Sequence, residues 1–233
     1  IKLIKPYISF NEVELEFKKI FESGWFTKGP NVELFKNALM NYTGASHAYL
    51  ATSATTALSA SLKLLDIKPG DEVIVSDFSF PATVNVVEDL YATPIFADVD
   101  AATFNMKPEE LLSKITRKTK AVIFVDALGN PTGIHAIKEI SKVNNIPLIE
   151  DAACAIGSSE LGIKCGKIAD ITCFSFHPRK LLSTGEGGAI LTDRDDWNDL
   201  LKIKLDHGSV PSGGTFDFVE CGYNYRLPEL QAA

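Results

Sequence analysis

The chain has 233 residues, 45% of them apolar and 23% charged, a soluble globular composition that excludes disordered and fibrous classes. The net charge of −7 argues against a nucleic-acid binder, which needs a basic face. No apolar run reaches the ~18–20 residues of a membrane helix, and the charged, proline-broken start Ile1-Lys2-Leu3-Ile4-Lys5-Pro6 does not read as a signal peptide, so a cytoplasmic protein without a membrane partner is expected.

Ser9-Phe10-Asn11-Glu12 has capping-box spacing and predicts a helix with Val13, Phe17, Ile20 and Phe21 on one face, stopped by Gly24. Gly29-Pro30 predicts a second helix with Val32, Leu34, Phe35, Leu39 and Met40 inward, ended by Gly44. Together they form a helical lead-in over about residues 1–45. From His47 onward short apolar runs alternate with amphipathic stretches. Strands are expected at 48–51, 72–75, 94–97, 121–125 and 147–151, with helices at 55–65, 81–90, 107–115 and 135–143. This rhythm predicts βαβ units with helices on both sheet faces. At 171–176 and 188–191 two further strands are joined by a polar, glycine-rich loop instead of a helix, which adds an antiparallel or mixed element. The expected fold is α/β, a three-layer αβα domain with a mostly parallel mixed sheet, and no linker splits residues 1–233.

The cysteines Cys154, Cys165, Cys173 and Cys221 have no C-x-x-C spacing, and the four histidines show no paired spacing, so no metal site is expected. Cys154 and Cys173 lie in apolar stretches and read as small core residues.

In open α/β sheets ligands bind outside the carboxyl ends of the strands. After the first strand, Thr52-Ser53-Ala54-Thr55-Thr56 opens a helix with small hydroxyl residues, which is either a phosphate cup or ordinary N-capping. Neither a dinucleotide fingerprint nor a P-loop is present. After the second strand, Phe78 and Phe80 could stack on a flat ring or pack in the core. The fifth strand ends in Glu150-Asp151-Ala152-Ala153, and a desolvated aspartate there needs a cationic partner unless it caps a helix. The run from Cys173 to Gly188 holds Ser175, Arg179 and Lys180. A lysine between an apolar strand and a glycine-rich loop is either solvated or, if desolvated near a second cation such as Arg179, a Schiff-base nucleophile with lowered pKa. A phosphate cup, a stacking aromatic, an acidic partner and such a lysine are the parts of a pyridoxal 5'-phosphate site.

In that order these segments resemble the DegT/DnrJ/EryC1/StrS family of pyridoxal-phosphate-dependent sugar aminotransferases, of the aspartate-aminotransferase-like fold type I. The resemblance runs through Ser23-Gly24-Trp25-Phe26-Thr27-Lys28-Gly29-Pro30, Ser53-Ala54-Thr55-Thr56-Ala57-Leu58, Pro69-Gly70-Asp71-Glu72-Val73-Ile74-Val75, Glu150-Asp151-Ala152-Ala153, the lysine segment from Phe174 to Gly188, and Gly222-Tyr223-Asn224-Tyr225-Arg226. It implies that Lys180 is the Schiff-base lysine and proton shuttle. Asp151 would pair with the pyridinium nitrogen and Phe80 would stack on the ring. Ser53, Ala54, Thr55 and Ser175 would hold the phosphate, and Asn224 would reach the phosphate of a partner subunit's cofactor, so a homodimer is implied. Ala54 departs from the family's glycine, Cys154 from its Gln or His near the cofactor's phenolic oxygen, and Asp126 from a frequent His.

The activity implied is transfer of an amino group, usually from glutamate, to a keto group of a nucleotide-linked sugar for amino-sugar or surface-polysaccharide biosynthesis. Lys28 and Arg226 are candidate partners for a diphosphate, although Lys28 also reads as plain surface charge. A sugar dehydratase of the same family would carry His where Lys180 stands, and a non-catalytic regulator would not need the intact Lys180 and Asp151. A start at Ile1 and an end inside the helix-forming run Glu229–Ala233 lead us to expect a longer natural chain with the family's smaller C-terminal domain.

Overall fold

The computed structural model describes Pro6 and residues 8–233; the Ile1–Lys5 stretch read above lies outside these. Two helices, α1 (Phe10–Ser23) and α2 (Pro30–Thr43), lead in. There follow β1 (His47–Ala51), α3 (Ala54–Leu64), β2 (Glu72–Ser76), α4 (Pro81–Glu88), β3 (Thr93–Ala97), α5 (Pro108–Lys114), β4 (Thr119–Val125), α6 (Ile134–Val143) and β5 (Leu148–Asp151). A two-residue hairpin, β6 (Ser159–Glu160) and β7 (Ile163–Lys164), precedes β8 (Ile171–Ser175) and β9 (Gly188–Thr192). The rest is α7 (Asp195–Lys204), the hairpin β10 (Ser209–Ser212) and β11 (Thr215–Phe218), and α8 (Glu229–Ala232).

The main sheet has seven strands in the order β1-β9-β8-β5-β4-β2-β3. The pairings β2–β3, β2–β4, β4–β5 and β5–β8 are parallel. Strand β9 runs antiparallel to both β8 and β1, so β1 shares the direction of the parallel set. The antiparallel element expected from the glycine-rich loop is this one reversed strand.

The strands read as continuous apolar runs because both faces are covered. Val73 and Val75 of β2 and Ile123 of β4 enter one core with Leu58, Leu62, Val86 and Leu201. The alternate residues Ile74, Val122 and Phe124 enter the opposite core with Leu111, Ile134 and Ile137. A third cluster joins Leu39 of α2 to Leu50, Phe174 and Leu191. At ~25 cal/mol per Å² of apolar surface, these fully buried side chains supply most of the stabilisation of the fold.

Two local expectations are corrected. Ser9 precedes α1 but makes no side-chain cap; its carbonyl accepts the Glu12 N–H instead. Gly24 does stop α1, in the left-handed region with φ 68° and its N–H on the Ile20 carbonyl. Leu34 and Phe21 are exposed, so the inward stripes of α1 and α2 are narrower than their apolar content suggests. Among the described residues no helix is long and apolar enough to cross a membrane.

Candidate active site

The strands of the parallel set, with β1, all end at one edge of the sheet, and the candidate residues collect there. Ala51, Gly188 and Ser175 lie in one row across β1, β9 and β8. Val125, Asp151 and Cys173 form a second row across β4, β5 and β8.

Helix α3 starts directly after β1. Ser53 Oγ accepts the Thr56 N–H and Thr56 Oγ1 accepts the Ser53 N–H, each at 3.1 Å, so the hydroxyl cluster does form a capping box. Helix geometry still leaves the Ala54 and Thr55 N–H groups without an intrahelical acceptor. Ala54 sits inside α3, where a Cβ is at no disadvantage, so its departure from glycine costs nothing locally. The glycine that matters is Gly188. A Cβ there would lie 2.4 Å from the Ser53 carbonyl carbon and 2.6 Å from the Ala54 nitrogen. Only a bare backbone lets β9 approach the α3 N-terminus this closely. Ser175, paired with Gly188, is buried, with its hydroxyl 3.4 Å from the His177 N–H.

Asp151 is buried at the end of β5 and does not cap a helix. Its Oδ2 accepts the Thr83 hydroxyl at 2.7 Å, and Thr83 in turn accepts from Ser79 Oγ at 2.6 Å. Its Oδ1 accepts the Ala153 N–H at 3.3 Å. Burial pushes the Asp151 carboxyl up, and Thr83, Ala153 and the positive charge of Lys180 oppose that rise. An aspartate in this state gains strongly from any further cation brought to it. The sequence carried no signal for Thr83, whose partner lies 68 positions away.

Lys180 is half-buried in the loop between β8 and β9, while Arg179 faces solvent. Lys180 Nζ donates to Cys154 Sγ at 3.0 Å. Cys154 is exposed, which corrects its reading as a core residue; Cys173 is buried as expected. Phe80 is 72% exposed at the N-terminus of α4, with its ring free of the core. Phe78 pairs instead with Phe104, ring centroids 5.1 Å apart.

Asn224 lies at a bridge to Asp206 within this chain. Asp206 also binds both Lys28 and Arg226. The two cations read as candidate diphosphate partners are therefore tied to one carboxylate. Asp126 is buried beside Glu150 and Cys165, a grouping the sequence reading missed because the three come from separate segments.

The geometry suits pyridoxal phosphate. The α3 N-terminus offers N–H donors that have no intrahelical acceptor, held against the bare backbone of Gly188. The buried Asp151 carboxylate suits a protonated ring nitrogen, and Lys180 provides the primary amine.

The chain is similar to several named proteins. The spore coat polysaccharide biosynthesis protein SpsC of Bacillus subtilis is 36% identical over 98% of this chain and 61% of its own length. GDP-perosamine synthase of Caulobacter vibrioides is 35% identical over 100% of this chain and 62% of its own. In structure, the PLP form of the putative sugar aminotransferase Spr1654 from Streptococcus pneumoniae superposes with a TM-score of 0.92 at 32% identity, covering 100% of this chain and 64% of that one. The chain thus spans about three fifths of the length of the curated relatives it matches. The profile of the DegT/DnrJ/EryC1/StrS aminotransferase family matches residues 9–233, and the chain belongs to that family.

Proposed function

We propose that this chain carries the cofactor-binding part of a pyridoxal-phosphate-dependent sugar aminotransferase. The observation that carries the reading is the meeting, at one sheet edge, of Lys180, the Thr83-bound Asp151 carboxylate and the open N-terminus of α3. Pyridoxal phosphate, when bound, supplies an electron sink for the carbon that loses its proton.

This chain's residues do the rest. The N–H groups of Ala54 and Thr55, with the hydroxyls of Ser53 and Ser175, hold the phosphate at the positive end of the α3 dipole. Asp151, fixed by Thr83, keeps a proton on the ring nitrogen. Phe80 covers the ring face from the start of α4. Lys180 is the attachment amine and the base that moves the proton. Cys154 stands beside that amine, where it offers a weak donor to a phenolic oxygen. Asn224 reaches a second subunit in a homodimer. The amino acceptor is a nucleotide-linked keto sugar and the donor glutamate, consistent with relatives named for perosamine synthesis and spore coat polysaccharide.

The test is to load the protein with pyridoxal phosphate, reduce it with borohydride and locate the pyridoxyl group by mass spectrometry. Label on Lys180, absent in Lys180→Ala, is expected, together with glutamate-dependent amination of nucleotide keto sugars by the full-length protein. No label, or label spread over surface lysines, overturns the cofactor reading. A labelled protein that aminates no nucleotide sugar overturns the substrate.

A further inference from the structure

Behind Asp151 lies a second acidic group that the proposed chemistry does not use. Asp126 follows β4 and Glu150 lies in β5; they are 1% and 0% exposed. Glu150 Oε2 accepts the Thr172 hydroxyl at 2.6 Å and the Gly166 N–H at 3.2 Å. Glu150 Oε1 and both carboxyl oxygens of Asp126 have no hydrogen-bond partner among the described residues. One oxygen of each carboxyl and Cys165 Sγ lie within 4.8 Å of one another.

Two ionised carboxylates buried side by side repel each other, and burial strips each of bulk hydration. The titratable groups facing Asp126 are Glu150 and Asp151 from β5 and Cys165 from the segment after β7, and none is a cation. A proton placed between the carboxyls satisfies two of the three orphaned oxygens at once. We propose that Asp126 and Glu150 share one proton at neutral pH, with Asp126 the carboxylic acid that donates and Glu150 the carboxylate that accepts.

The division follows from the partners. Glu150 already has two donors that stabilise its charge, whereas Asp126 has none. Burial and the neighbouring Glu150 push the Asp126 carboxyl well up; burial also raises Glu150, against the pull of Thr172 and Gly166. Burial pushes the Cys165 thiol up as well, so it stays protonated. The pair therefore places one negative charge beside Asp151, not two. Asp126 is also tied to Asp151 directly, its N–H donating to the Asp151 carbonyl at 3.1 Å. The benefit to Asp151 rests on the cofactor reading above, whereas the shared proton does not.

The experiment uses the cofactor-free protein, so its outcome is independent of labelling at Lys180. Infrared spectra at pH 7 should show the carbonyl stretch of an undissociated carboxylic acid, and Asp126→Asn should remove it. Urea unfolding gives a second readout. A carboxyl whose folded pKa is raised contributes stability that is full below its unfolded pKa, ~3.9 for Asp, and is lost as pH rises through the folded value. Asp126→Asn removes that loss, so its urea midpoint should gain on the wild type between pH 5 and pH 8. A neutral hydrogen-bonding role would give a pH-independent difference. If Asp126→Asn does not fold, Glu150→Gln should shift the carbonyl band so that it titrates away at lower pH than in the wild type. The proposal is overturned by a wild type without the band between pH 6 and pH 8, by a band unchanged in Asp126→Asn or, where that variant does not fold, in Glu150→Gln, or by a stoichiometric divalent cation at these residues in the purified protein.

Discussion

Lys180 Nζ lies 3.0 Å from Cys154 Sγ, although the two residues belong to different loops at the carboxyl edge of the sheet. The contact places a primary amine and an exposed thiol in one opening, and thiol chemistry can therefore report on what enters it. Cys154 and Cys221 are exposed, whereas Cys165 and Cys173 are buried. Iodoacetamide on the native protein should label Cys154 and Cys221 and leave the other two until unfolding. Pyridoxal phosphate should slow labelling of Cys154 without affecting Cys221, as read by peptide mass spectrometry. Equal protection of both, or of neither, would separate Cys154 from the cofactor.

Thr83 is the one side-chain hydroxyl on Asp151 among the described residues. Thr83→Val keeps the shape and removes the donor, at a cost of about 1.5–3 kcal/mol for a hydrogen bond to a charged group. The Asp151 carboxyl, already raised by burial, rises further. Because stability is lost as pH climbs through the folded pKa, the deficit against the wild type should be larger at pH 8 than at pH 5. Urea midpoints at the two pH values check this, and a constant deficit would show that Thr83 acts only through packing.

Gly188 allows β9 to lie against the Ser53–Ala54 backbone. Gly188→Ala forces that contact apart, with an overpacking cost of about 1–3 kcal/mol. The displaced groups are those proposed to bind phosphate, so affinity for pyridoxal phosphate should fall more than affinity for pyridoxal. Titration with both compounds decides; equal losses would move the phosphate away from the α3 N-terminus.

The central strands were legible because they are short apolar runs buried on both faces, as in Val73-Ile74-Val75 and Val122-Ile123-Phe124, whereas the exposed hairpin β10–β11 offers no such run. The reversal of β9 was legible only as a missing helix, since Gly188-Ala189-Ile190-Leu191 carries no mark of direction. Helix α7 escaped because only Trp197 and Leu201 of its ten residues are buried, too thin a stripe to stand out. Lys180 and Asp151 could be singled out as candidates because their local sequence is distinctive. Thr83, Glu150 and Cys165 could not, because what makes them matter is a partner from another segment and the removal of water on folding.

Glu229 shows the same long reach in a structural role. The N-cap of helix α2 is Gly29, which has no side chain to cap it. Glu229, fully buried and almost two hundred positions away, accepts the Asn31 and Val32 N–H groups at 2.9 Å each. Its carboxylate also faces the positive end of the α2 dipole. Glu229→Ala should cost about 1–2 kcal/mol, lowering Tm by about 2–8 °C. Glu229→Gln, which keeps one good acceptor oxygen, should cost less. Gly29 provides the decisive control, because a Cβ there would lie 2.7 Å from Glu229 Cδ. Gly29→Ala should therefore destabilise the wild type but be tolerated once Glu229 is Ala, giving a double-mutant coupling of the order of 1 kcal/mol. Additive effects in thermal denaturation would mean that α2 is held by its apolar contacts alone and that the carboxylate is a bystander at its N-terminus.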